Sequence, residues 1–249
     1  MEVHLIGGGW DDALAPTIYG QFVSAAARRA AAGVPRILLV VMGTDADSLA
    51  YHEKYVHTLG LVGGHELVVE RVAEGAPFDP GALEGVDALF VGGGPTPEYH
   101  ASLAAAYPRI LSLVTAGMPY AGFSAGAAIA ASHAIIGGWR LGGRAVCPEE
   151  SNEDLDAVTV VPGIGLVDGA VDVHAAQWGN LSRLVAVVEA GLAPLGVAID
   201  EDTLLGPDGA VVGAGRVWHV RPPRETNTDG PRDAPATPGA LVRAVSAGQ

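Results

Sequence analysis

The residues best suited to chemistry are Gly122-Phe123-Ser124-Ala125-Gly126. They have the Gly-x-Ser-x-Gly form, placed after an apolar run and before a helix-compatible segment, and that strand–turn–helix setting gives the pattern its meaning. A serine at such a bend is held in a strained conformation while small neighbours let backbones approach. Its hydroxyl is pushed out above the carboxyl end of the sheet, where open α/β sheets place their sites. The amide of Ala125 and the N-terminus of the following helix face the same space and favour an oxyanion. Ser124 is therefore the candidate nucleophile; the plainer alternative is a serine that simply caps the helix.

An alcohol is a poor nucleophile at neutral pH and needs an adjacent base. Of the eight histidines, His4, His65 and His219 fall in or beside strands, and His133 closes the elbow helix, pointing away from the hydroxyl. His52-Glu53 has the look of a zinc-protease signature. However, His52 and His57 are five residues apart, about 140° around a helix, and cannot converge on one metal. His100 sits near a glycine loop that could line a cleft. His174 ends the β-like run Val171-Asp172-Val173 just ahead of a helical segment, where a βα loop would carry it over the elbow. It is the candidate base, with a satisfied structural histidine as the alternative.

The elements that must hold these groups alternate regularly in the first half. Val3–Ile6, Arg36–Met42, Glu66–Val72, Ala88–Val91 and Pro119–Phe123 read as strands; the segments Thr17–Ala32, Asp45–Leu59, Glu98–Thr115 and Ala125–Ser132 read as helices. Asp45 and Asp47 suit the start of the second helix as acidic caps. Such alternation implies a parallel sheet covered by helices on both faces. The second half is less regular, with a strand at Val158–Val161 and a helix at Leu181–Ala190. Short strands or hairpins follow at Val197–Ile199, Thr203–Leu205, Ala210–Val212 and Val217–Val220. Residues 1–220 read as a single α/β domain, and 221–249 as a Pro-rich, mobile tail.

Length and charge narrow the function. The chain has 249 residues and a net charge of −14, which argues against nucleic acid and anionic membranes as partners. With Cys147 as the single cysteine no internal disulfide can form, and with no signal segment visible the expectation is a cytoplasmic protein. The apolar stretch from Gly117 to Gly138 approaches the length of a membrane span. Its proline, glycines, serines and histidine read better as a buried strand followed by a buried helix.

Taken together, Ile6-Gly7-Gly8-Gly9, Phe90-Val91-Gly92-Gly93-Gly94, Gly122-Phe123-Ser124-Ala125-Gly126-Ala127, Asp172-Val173-His174 and Ile199-Asp200-Glu201-Asp202-Thr203 resemble the dipeptidase E and cyanophycinase family of serine peptidases. The resemblance runs from about Leu5 to Val220. It implies a flavodoxin-like fold, related to class I glutamine amidotransferases, with C-terminal short strands. It also implies Ser124 as nucleophile, His174 as general base and Glu201 as the carboxylate that orients it. Asp200 and Asp202 flank Glu201 and would face the other way along a strand. Gly93 is the implied second oxyanion donor, with Gly94 the alternate, beside Ala125. Two departures bear on specificity. Pro95 follows the glycine loop where the family has a polar residue, and Trp178 and Asn180 stand where cyanophycinases carry arginines, which argues against cleavage of cyanophycin itself.

The expected function is a serine peptidase or amide hydrolase working through an acyl-enzyme on small peptides, aspartyl dipeptides and isopeptides among them, with no cofactor and no metal. Arg140, Arg144 or Arg183 would recognise a substrate carboxylate, and the Glu149-Glu150-Ser151-Asn152 loop would border the cleft. A homodimer is compatible with the sequence. The alternatives are a hydrolase of a non-peptide acyl substrate and a catalytically silent, amidotransferase-like binding module.

Overall fold

The computed structural model describes residues 1–30, 33–43, 46–223 and 239–248. The capping side chains expected of Asp45 and Asp47, and residues 224–238 of the tail, lie outside what it describes. The first half alternates as the sequence implies. β1 (Val3–Ile6), α1 (Ala15–Arg29), β2 (Arg36–Met42), α2 (Ala46–Gly60), β3 (Glu66–Val72) and β4 (Ala88–Val91) come first. They are followed by α3 (Thr96–Leu103), α4 (Tyr107–Thr115), β5 (Tyr120–Phe123) and α5 (Ala125–Ala130). The single helix expected over Glu98–Thr115 is broken by a 3₁₀ turn at Ala104–Ala106, with Pro108 in the first turn of the next helix, where the missing amide costs nothing.

The second half contains β6 (Ala131–Gly137), β7 (Arg140–Leu141), β8 (Arg144–Ala145), β9 (Thr159–Pro162), β10 (Val167–Val173), α6 (Leu181–Glu189) and β11 (Gly196–Ile199). It ends with β12 (Thr203–Leu205), β13 (Val211–Gly213), β14 (Arg216–Arg221) and β15 (Leu241–Ser246). Two of these elements depart from the sequence reading. The elbow helix stops at Ala130 and the chain turns directly into β6, so His133 lies in a strand. Buried Ala134, Ile135 and Ile136 pack there between β9 and β10, and tertiary pairing overrides the helical preference of alanine. Within the expected mobile tail, Leu241–Ser246 instead adds an antiparallel edge strand to β14, in register from Arg216 opposite Ser246 to Arg221 opposite Leu241.

The strands make two main sheets. One has the order β13-β12-β1-β5-β4-β2-β3, the other β15-β14-β11-β10-β6-β9. In the first, β1, β5, β4, β2 and β3 run parallel, and β12 and β13 extend the edge antiparallel. In the second, β6, β10 and β11 are parallel to one another. Successive side chains of a strand face opposite ways, so β2 serves two cores. Ile37, Leu39 and Val41 pack with Ile18, Tyr19 and Phe22 of α1. Leu38 and Val40 face Tyr99, Ile110 and the α5 residues Ala127 and Ile129. That second core continues without a break into Val171, Val173, Ile199 and Val217 of the other sheet, so α5 is sandwiched between the sheets with every residue buried. Helix α6 covers the far side of the second sheet through Leu184, Val187 and Val188.

This layering aims the carboxyl ends of β1, β4 and β5 in one sheet, and of β10 and β11 in the other, at a common cleft. Open α/β sheets bind ligands at that end, where the strand order reverses. No helix among the described residues is long and apolar enough to cross a membrane.

Candidate active site

Ser124 is the single residue between β5 and α5, with φ 50° and ψ −110°. A non-glycine residue seldom adopts such a backbone and persists in it only where the surroundings dictate it. Here its N–H donates to the carbonyl of Ile6 at 2.9 Å, while its own carbonyl accepts from Ala127 and Ala128 at 2.9 and 3.0 Å. The turn also needs Gly126, because a Cβ there would lie 2.2 Å from the carbonyl oxygen of Val91. Backbone contacts from β1, β4 and α5 thus pin the serine's turn.

His174 follows β10 and also has a positive φ, 51°. Its N–H donates to Gly7 at 3.0 Å, and its carbonyl accepts from Trp178 at 2.9 Å. Asn180 clamps the preceding peptide by donating from Nδ2 to the Val173 carbonyl at 3.0 Å. The ring lies against the β1 loop. Gly8, at φ 109°, passes so close that a Cβ would be 2.2 Å from His174 Cε1. The indole of Trp178 stacks on the imidazole at a centroid distance of 3.9 Å and 9° between planes.

These constraints bring three side chains into line. Ser124 Oγ is 2.9 Å from His174 Nε2, and His174 Nδ1 is 2.7 Å from Glu201 Oε1. The carboxylate is 28% exposed, the imidazole 9%. Burial lowers the His174 pKa below its ordinary 6.5, against the hydrogen bond and charge of Glu201, which raise it. The ring is therefore a neutral acceptor at pH 7, with a carboxylate placed to hold the proton on Nδ1 and to support a positive charge. Such a chain can take a proton from a hydroxyl and return it to a leaving group.

The acidic trio divides by role. β11 ends at Ile199, so strand alternation does not carry through Asp200–Asp202. Asp200 is buried and accepts from Ala176 N at 3.1 Å, Arg216 N at 2.9 Å and Trp218 Nε1 at 3.0 Å, a structural knot. Asp202, contrary to the expected alternation, lines the cleft alongside Glu201 and accepts from Asp11 N at 3.0 Å. The glycine loop also differs from expectation. The Gly93 amide, the expected oxyanion donor, instead donates to the Tyr55 hydroxyl at 2.6 Å. The amides of Gly94 and Ala125 have no partner among the described residues.

The cleft has a volume of about 580 Å³. Glu150, Glu153, Asp154 and Asp202 lie on its wall, and Lys54 is the only lysine or arginine there among the described residues. None of the three arginines expected to read a carboxylate lines it. Arg140 pairs loosely with Asp156 at 3.9 Å, Arg144 lies in exposed β8, and Arg183 is buried against Asp172. Other histidines are occupied elsewhere, His57 with Asp12, His100 with Tyr107 and His133 with Ser132. No group of three or more His, Cys, Asp or Glu suited to a metal occurs among the described residues.

No family model matches the chain. Cyanophycinases of Trichormus variabilis and of a Nostoc species are each 37% identical to it over 116 residues, 45% of this chain and 36% of each relative. A peptidase from an acI-B1 Actinobacterium superposes with a TM-score of 0.64 at 16% identity, covering 100% of this chain and 95% of that one. In sequence the chain is similar to these cyanophycinases over 45% of its length, and in fold it is similar to that peptidase. The match spans little more than a third of the curated relatives' length, and the structural likeness concerns the fold.

Around these side chains, sequence reasoning missed three contributors. Trp178 was visible only as a substitution, although its spacing of four from His174 would place an aromatic ring over the imidazole if the loop turned helically. The Asp172–Arg183 pair, with hydrogen bonds of 2.8 and 2.9 Å, had no signal beyond the two residue types. Tyr55, one apolar-face residue among several on α2, had none at all.

Proposed function

We propose that the chain is a serine hydrolase that cleaves amide bonds of small peptides through an acyl-enzyme. The observation that carries this reading is the unbroken relay from Ser124 Oγ through His174 to Glu201, at 2.9 and 2.7 Å. Ser124 adds to the carbonyl carbon as His174 Nε2 takes its proton, and the developing oxyanion is held by the Ala125 amide and the glycine loop at Gly94. The imidazolium then protonates the amine as the C–N bond breaks. Water repeats the cycle to release the acid. Each oxyanion donor of this kind contributes about 3 kcal/mol to the transition state. The peptidase and cyanophycinase names among the similar proteins support the same class.

The lining favours a substrate with a cationic end. A free amino terminus suits the carboxylates of Glu150 and Asp154, while Lys54 is the only cation among the described lining residues to meet an aspartyl side chain on the acyl side. A fluorophosphonate probe tests the class. The wild-type protein is expected to label at Ser124 and the Ser124→Ala variant to stay unlabelled, with peptide hydrolysis falling on the order of 10⁴–10⁶-fold. An unlabelled wild type would instead support a silent binding module. A dipeptide panel against simple esters then separates peptide from non-peptide acyl donors.

A further inference from the structure

The Tyr55 side chain is almost fully buried on α2, packed edge-on against Trp10, Phe90 and Phe123 at centroid distances of 4.9, 5.6 and 5.4 Å. Even so, it reaches the cleft beside Ser124, Gly93 and Gly94. Its oxygen accepts the Gly93 N–H at 2.6 Å. Gly93 in turn touches the elbow, since a Cβ on it would lie 2.8 Å from Ser124 Cβ. A phenol both accepts and donates. Tyr99, the other tyrosine on this loop, has both roles filled: it accepts from Met42 N at 3.2 Å and donates to the Gly93 carbonyl at 3.1 Å. Tyr55 has only its acceptor role filled, and no acceptor for its proton is found among the described residues.

We propose that the Tyr55 hydroxyl is a catalytic residue, donating a hydrogen bond to the substrate's carbonyl oxygen as Ser124 attacks, with the Gly93 amide behind it as its support. This rests on the hydrolase reading and refines it. The electron pair of the C=O bond moves onto oxygen, the proton of Ser124 goes to His174, and the phenol keeps its own proton while sharing it with the oxyanion. A hydroxyl that accepts a hydrogen bond becomes a better donor, so the Gly93 amide acts through Tyr55 rather than directly. Burial pushes the Tyr55 pKa well above its ordinary 10, so the proton is present at every working pH. The surrounding rings fix the phenol before substrate arrives, and such preorganisation gives oxyanion donors their effect.

The test compares Tyr55→Phe with Tyr99→Phe, using the second-order rate of Ser124 labelling by a fluorophosphonate and the acylation rate with 4-nitrophenyl acetate. Both substitutions remove one buried hydroxyl from the glycine loop, so a merely structural role would slow both alike. The expected result is a loss of about 10²-fold in Tyr55→Phe, in the acylation rate rather than in KM, and at least tenfold less loss in Tyr99→Phe. Equal losses in the two variants would overturn the assignment. So would a Tyr55→Phe enzyme as fast as wild type or faster, which would make the freed Gly93 amide the donor. A wild type that never labels would overturn the hydrolase reading itself, a result separate from either of these.

Discussion

Two carboxylate–base pairs stand two residues apart at the end of β10 and behave as opposites. Asp172 and Arg183 meet in a two-pronged contact with side chains 2% and 5% exposed, and Arg183 also donates to the carbonyls of Gly138 and Ser151 at 3.2 and 2.8 Å. His174 and Glu201 meet through one hydrogen bond at the mouth of the cleft. A guanidinium cannot give up its proton in a protein, so the lower pair is a permanent cross-link between β10, α6 and the loops that border the cleft. An imidazole can, and its lowered pKa keeps it empty-handed at neutral pH. The same strand supplies a fixed anchor and a movable proton, and the identity of the base decides which is which.

The contrast breaks at different points under different substitutions. Glu201→Gln leaves the frame standing but can no longer stabilise an imidazolium. Its kcat is expected to drop on the order of 10³–10⁴-fold, with a change in unfolding free energy below about 1 kcal/mol because the carboxylate is partly exposed. Steady-state kinetics and urea unfolding on the same preparation read both. Arg183→Met should do the reverse and strand Asp172 without a partner, lowering stability by about 3–5 kcal/mol. The double variant Asp172→Leu with Arg183→Met should recover most of that loss. If the single and double variants unfold at the same urea concentration, the pair is no anchor.

The smallest effect ties the two pairs together. Below the His174 pKa the imidazolium cannot accept the Ser124 proton, so kcat/KM should rise with pH through a midpoint below 6.5. Glu201 raises that pKa, so Glu201→Gln should move the limb further down. Asp172 raises it and Arg183 lowers it. Removing Arg183 alone should therefore move the limb up, and removing both charges should return it close to wild type. Residual activity measured from pH 4.5 to 8 distinguishes these outcomes.

What could be read in advance followed the range of the forces involved. The first sheet was legible because each of β1, β2, β4 and β5 is a buried apolar run punctuated by glycine, and such local patterns suffice for parallel strands. Ser124 was legible for the same reason, its bend being encoded within five residues. The second sheet was only partly so. Alanine-rich β6 becomes a strand through its pairing with β9 and β10, and Leu241–Ser246 through β14, which are long-range events. In the site, Ser124, His174 and Glu201 could be nominated, but what sits around them could not. The Tyr55 hydroxyl on Gly93, the Trp178 ring on His174 and the absence of arginine from the described wall all depend on how separate elements meet.

The indole lying flat on His174 has an optical consequence. An excited indole gives up an electron readily to a neighbouring imidazolium and hardly at all to a neutral ring. The Trp178 emission is therefore expected to dim as His174 becomes charged, which would make it a gauge of that ring's protonation. Three other tryptophans, Trp10, Trp139 and Trp218, supply a background that a Trp178→Phe variant subtracts.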